Sequence, residues 1–89
     1  MLKISEGDLK GEATLRLEGN LTGTWVEEAR RACEQALGAG GKLALDLAEV
    51  LFADPDGIAL LREMQGRGVR LANGSPFLQV QLTGIEQSL

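Results

Sequence analysis

Histidine is missing from this chain of 89 residues. Its absence removes the commonest general base, every Ser-His or Cys-His nucleophile pair, and most zinc sites. Cysteine occurs once, at Cys33, so no internal disulfide can form. That thiol falls on the apolar side of a predicted helix, where a packed, inert group is expected rather than a reactive one. The aromatics are Trp25, Phe52 and Phe77, too few for base-stacking platforms. Basic charge is in the minority: a net charge of −4 argues against a phosphate-backbone binder, which needs a basic face. Nucleic acid is therefore excluded as a partner. No apolar run approaches the roughly 20 residues of a membrane span. The start, Met1-Leu-Lys-Ile-Ser-Glu6, is no signal peptide, so a cytoplasmic protein without direct membrane insertion is expected.

What is present is a globular composition, 44% hydrophobic with two prolines. A chain this short supports one hydrophobic core, hence one domain over 1–89. Leu2 and Ile4, then Ala13, Leu15 and Leu17, alternate with polar residues at the period of half-buried strands. Between them Gly7-Asp-Leu-Lys-Gly11 reads as a hairpin connection. Gly19-Asn-Leu-Thr-Gly23 breaks the pattern. Thr24-Trp-Val-Glu27 then has capping-box spacing, with the Thr24 hydroxyl on a free N–H and Glu27 reaching back.

From there Trp25, Val26, Ala29, Ala32, Cys33, Ala36 and Leu37 recur at helical spacing, with charges on the opposite face. Glu27/Arg31 and Arg30/Glu34 stand four apart and are expected to pair. Gly38-Ala-Gly-Gly41 ends the helix. It is no phosphate loop, because such a loop follows a strand and opens a helix, and the terminal Gly-Lys-Ser/Thr is missing.

Residues 43–61 carry the most information. Leu43-Ala-Leu-Asp-Leu47 is the near-continuous apolar pattern of a central strand covered on both sides. Ala48 to Ala53 reads as a short connection. Asp54-Pro-Asp-Gly57 has helix-start chemistry: Asp54 to cap free N–H groups, Pro55 at the first helical position, Asp56 as negative charge in the first turn. The helix then turns Ile58, Leu61 and Met64 inward and ends at Gly66 and Gly68. Val69-Arg-Leu-Ala72 is a short strand. Asn73-Gly74 turns, and Ser75-Pro76 starts a last helical piece with Phe77, Leu78 and Leu82 packing. Thr83-Gly84 is expected to loosen the final residues. The order β-β-α-β-α-β-α implies right-handed crossovers onto a mixed sheet.

This order of elements, with Gly19-Asn-Leu21 ahead of the first helix and Leu45-Asp-Leu47, Phe52-Ala-Asp54 and Gly57-Ile-Ala-Leu-Leu61 behind it, resembles the STAS family of sulfate transporter and anti-sigma factor antagonist domains. The resemblance spans about Leu15 to Leu82. It implies a small α/β domain with a mixed four-stranded sheet and helices mainly on one side. It also implies a signalling role in transcription regulation, by docking on an anti-sigma factor that is a kinase-like ATPase. In the family, the turn before the second helix reads Asp-Ser-Ser/Thr-Gly or Asp-Thr-x-Gly, and its first hydroxyl takes a phosphate that blocks docking. Asp54 and Gly57 match that turn, but the acceptor position is Pro55, which has no hydroxyl, followed by Asp56. No phosphorylation is expected there. Thr22 stands where the family often has Asp, and the tail after Leu82 is short.

Two readings of Asp56 follow. A carboxylate at this helix start mimics the modified state, or Asp54 and Asp56 only stabilise the helix start. Asp46, Glu49, Asp54 and Asp56 form an acidic concentration that could hold Mg²⁺ or act as an acid/base pair. No nucleophile or histidine accompanies them, and a reaction needs convergent roles. No catalytic, metal or cofactor residue is assigned. Core or rim packing is the default for the three aromatics, with Trp25 best placed for partial exposure at an interface. The resulting expectation is a non-enzymatic protein-interaction module. Its partner-binding residues would be Thr22, Asp54, Pro55, Asp56, Gly57 and Ile58, docking on a regulatory partner. The alternative is an accessory subunit on an ABC-type membrane transporter.

Overall fold

Alternating apolar and polar residues build a hairpin from strand β1 (Leu2–Leu9) and strand β2 (Glu12–Leu21), the first two elements of a computed structural model that describes residues 1–9 and 11–83. Pairing is antiparallel and unbroken from Leu2↔Gly19 to Leu9↔Glu12. The expected connection over Gly7–Gly11 is therefore shorter. Gly7 and Asp8 stay in the strand, and Gly11 supplies the left-handed conformation (φ 81°) that the reversal needs.

Gly19 does not end β2 either, which runs on to Leu21. Its φ of 112° bends the strand at a register shift, where a Cβ would run into the Met1 carbonyl oxygen. The Asn20 N–H donates to that same oxygen at 3.0 Å. Glycine is required at this bulge.

Helix α1 (Thr24–Gly38) follows, then strand β3 (Lys42–Ala53), helix α2 (Pro55–Gly66), strand β4 (Arg70–Ala72) and helix α3 (Pro76–Thr83). The sheet order is β1-β2-β3-β4, with β3 parallel to both β2 and β4. Two crossovers that step the same way along the sheet put α1 and α2 on one face, where both contact β3 and each other. Leu15, Leu17, Leu45 and Leu47 of the sheet and Leu60, Leu61 and Met64 of α2 are fully buried between them. The two-sided cover expected of β3 is not found. Its second face carries Ala44 and half-buried Asp46, neighbours in register of Thr14 and exposed Arg16. Ala44 is nevertheless buried. Glu12 and Arg70, on the strands flanking β3, join above it, with Arg70 Nη2 donating to Glu12 Oε1 at 2.6 Å. The small Ala44 side chain leaves room for that bridge.

Residues 48–53 are strand, not connection: Glu18↔Glu49, Gly19↔Val50, Asn20↔Phe52 and Leu21↔Ala53 pair in parallel. Extra β3 residues at two register shifts break the alternation that would have marked them as strand.

The first helix is apolar where expected, with Val26, Ala29 and Cys33 buried and Trp25, Ala32, Ala36 and Leu37 packed against the core. The capping box is absent. Thr24 is already helical, Gly23 is the N-cap (φ 56°), and no side chain of its own segment caps it. The expected pairs at four-residue spacing are also replaced. Arg30 reaches Glu63 and Arg67 reaches Glu34 across the helix–helix contact, while Arg30–Glu27 and Arg31–Glu28 pair at three-residue spacing. The packed α2 brings opposite charges within reach, which spacing along α1 alone does not reveal. In α3, Leu78 is buried and Leu82 packs on the core, but Phe77 is exposed (57%). Phe52 is exposed too (48%). The expectation for Gly84 onward lies outside the described residues.

Candidate functional site

Strands β2 and β3 end level with each other, Leu21 opposite Ala53, so the chain leaves the sheet twice at one point. The Asp54 N–H donates to the Leu21 carbonyl at 3.2 Å and holds the two exits together. Asp54 is extended (φ −79°, ψ 177°), as an N-cap should be. Its Oδ1 accepts from the Gly57 N–H at 2.8 Å and its Oδ2 from the Gly23 N–H at 3.0 Å. One carboxylate thus caps its own helix and also the start of α1, where the local sequence offers no cap. The Gly23 and then the Gly57 N–H hold the Asp54 carboxyl below its ordinary value, because each bond favours the charged form.

Gly57 explains itself by contact. It is buried, and a Cβ would strike the Leu21 carbonyl oxygen while meeting Leu21 Cγ at 3.1 Å and Ala53 Cβ at 3.3 Å. Ile58 is buried (8%), and its N–H closes the first helical bond to the Asp54 carbonyl at 2.9 Å. Thr22 is half-buried and its carbonyl accepts from the Trp25 N–H at 3.0 Å. The six expected binding residues are therefore gathered at one end of the sheet, but they play different parts. Asp54, Gly57 and Ile58 build the junction, and Pro55 and Asp56 are exposed on it.

The acidic concentration is divided. Asp46 Oδ1 accepts from the Ala48 N–H (3.0 Å) and from Asn73 Nδ2 (3.2 Å), and these two bonds, Ala48 first, lower its pKa. Glu49 lies 3.8 Å from Arg16, and Asp54 is spent on the two helix starts. Among the described residues no group of three or more His, Cys, Asp or Glu side chains is placed to hold a metal.

Beside the turn lies a feature that spacing did not reveal. Phe52, Pro55, Ile58, Ala59, Arg62 and Val80 line a groove of about 480 Å³ between α2 and α3. Pro55, Ala59 and Arg62, at i, i+4 and i+7, share one face of α2 and were the only available signal. The second wall depends on where α3 docks, which no local pattern states.

No protein-family model and no curated protein matches the sequence. Among solved structures, 12 chains match. One is the anti-sigma factor antagonist SpoIIAA in its unphosphorylated form: 21% identical, TM-score 0.67, over 93% of this chain and 82% of that one. The likeness shows the fold: a mixed four-stranded sheet with three helices, the STAS fold of that protein.

Proposed function

We propose, from a fold shared with an anti-sigma factor antagonist, that this chain is a non-enzymatic interaction module that docks on a regulatory protein partner. Docking is centred on the exposed Pro55-Asp56 elbow and the apolar surface beside it. The observation that carries this reading is the juxtaposition of that elbow with exposed Phe52 and the α2/α3 groove. An apolar surface rimmed by charge is what a protein partner buries.

Pro55 has no hydroxyl, so no phosphate ester forms at that position. Docking is then constitutive at the turn, and Asp56 supplies fixed charge there. Since Asp54 already engages the helix-start N–H groups, Asp56 is left facing solvent, where a partner cation meets it.

Affinity capture from the native cytoplasm, with partners identified by mass, tests this. A defined protein is expected on the unaltered chain and on a control, Lys3→Glu, at the far sheet edge. It is lost with Phe52→Asp and with Asp56→Lys. A kinase-like ATPase in the captured material identifies the regulatory reading, and a transporter ATPase identifies an accessory subunit. Capture undiminished by both variants, or metabolite turnover by the purified chain, overturns the proposal.

A further inference from the structure

Strand β1 is one edge of the sheet, and its outer side is long and regular. It pairs with β2 over Leu2–Leu9 without a register shift and contains no proline. The Asn20 N–H bonds the Met1 carbonyl, which fixes the alternation along this antiparallel ladder. Lys3, Ser5 and Gly7 turn their N–H and C=O groups to β2. Leu2, Ile4, Glu6 and Asp8 turn theirs outward, where no backbone group of a described residue meets them. Such a row is a template for another strand, and edges are normally blunted by shortness, proline or a bulge. Strand β4, at the other edge, is blunted by its length of three residues. Strand β1 has none of these guards.

The side chains of β1 select the occupant. Leu2 is buried and Ile4 half-buried against the core, on the face that carries the helices. Glu6 and Asp8 continue that face beside the end of α1. Lys3 and Ser5 lie on the open face, opposite Glu18 and Arg16 of β2. A second copy related by a two-fold axis through the sheet meets β1 antiparallel, with the two faces matched. Centred on Glu6 or on Lys3, such a pair sets like charges directly opposite, which is destabilising. Centred on Ser5, it sets the two Glu6 carboxylates on a diagonal, each with Leu15 rather than a cation behind it on β2. Centred on Ile4, it leaves only the two Lys3 side chains on a diagonal, and each has Glu18 opposite it on β2. In that register Ile4 lies beside Ile4 and Lys3 beside Ser5. Leu2, Ile4 and Glu6 of one copy then bond Glu6, Ile4 and Leu2 of the other.

We propose that β1 is a self-pairing edge, through which two copies of this chain join antiparallel, centred on Ile4, into one continuous sheet. The contact is one strand wide and stays below the roughly 1,200 Å² of a stable interface, so the pair forms and parts with concentration. Growth stops at two, because the edge that remains is the short β4. This pairing does not rest on the docking reading, which uses α2 and α3.

Sedimentation equilibrium of the unaltered chain over a concentration series tests this, with nuclear magnetic resonance amide shifts read on the same samples. The average mass rises towards that of two copies, and the Leu2, Ile4 and Glu6 amides move with it. Ile4→Pro removes an outward N–H and no bond to β2, so association is lost. Ser5 reads the register, and thermal melts check that each variant folds. Ser5→Glu faces Lys3 of the other copy and tightens the dimer, while Ser5→Lys weakens it. Each change is about 2- to 30-fold, because two symmetry-related pairs alter together. Should Ile4→Pro fail to fold, the two Ser5 variants decide alone. A single-chain mass at every concentration overturns the proposal. So does association that survives Ile4→Pro, or a change in the same direction with both Ser5 variants. Partner capture through the Pro55-Asp56 elbow is scored separately.

Discussion

Replacing Gly57 by alanine sets two effects against each other inside α2. Gly57 lies in the first turn, and its φ is not in the left-handed region. By helix propensity alone, alanine gains up to about 1 kcal/mol. Packing opposes this. The new methyl meets the Leu21 carbonyl oxygen, with Leu21 Cγ at 3.1 Å and Ala53 Cβ at 3.3 Å behind it. Leu21 is fully buried and its carbonyl already accepts the Asp54 N–H. Relief therefore means moving backbone rather than rotating a side chain. Overpacking of this kind costs about 1–3 kcal/mol, so against the full propensity gain the clash wins by up to about 2 kcal/mol.

For a domain of this size, that lowers Tm by up to roughly 16 °C. Gly66→Ala is the internal control. It sits in the same helix with an ordinary φ, and an added Cβ meets nothing within 4 Å. Only the propensity gain remains, so Tm rises by about 2–8 °C. Thermal melts followed by far-ultraviolet circular dichroism read both. Equal stabilisation by the two alanines would refute the reasoning, because it would mean that α2 does not press its first turn against the end of β2.

Asp46, Asp54, Glu12 and Glu34 all titrate below their ordinary values of 3.8 and 4.5. Between the folded and unfolded values the unfolded chain binds more protons. Their stabilisation is therefore complete above about pH 5 and is lost as pH falls through the folded values; melts that stay level down to pH 3 would contradict this. Asp54→Asn keeps one acceptor and turns an amide donor toward one of the two N–H groups that the carboxylate joins. It should lower Tm at pH 7 and flatten the acid limb, and nuclear magnetic resonance should show the Gly23 or Gly57 amide displaced. Burial pushes the Cys33 thiol up to about 11, leaving on the order of one thiolate in a thousand at pH 8. Aromatic disulfide reagents should label it only as fast as the fold opens, and prompt labelling of the native protein would disprove its burial.

The sequence was most legible where one period ran undisturbed. The apolar stripe of α1, the alternation of β2 and the Asp54-Pro55 start of α2 each stand where local chemistry places them. Legibility failed where a distant segment supplied the deciding atom. Thr24 has the spacing of a cap, but the Gly23 N–H is already bonded to the Asp54 carboxylate, 31 residues along from Gly23. Arg30 has Glu34 one turn on, yet Glu63 of the packed helix takes it. In β3 the strand outlasts its own alternation, since two register shifts absorb the extra residues and leave Leu51 77% exposed. The turn at 54–57 was readable as a helix start. The groove beside it was not, because it exists only once α3 has docked.

The bridge from Arg70 to Glu12 ties together two strands that share no ladder. Strand β4 has three residues against twelve in β3, so backbone pairing alone gives it a weak hold on the rim of the sheet. A charge clasp thrown over the intervening strand makes that rim sensitive to dissolved ions. Raising the ionic strength loosens β4 and the link between α2 and α3 before it disturbs the leucine-packed centre, so one border of the domain responds to the medium while its interior does not.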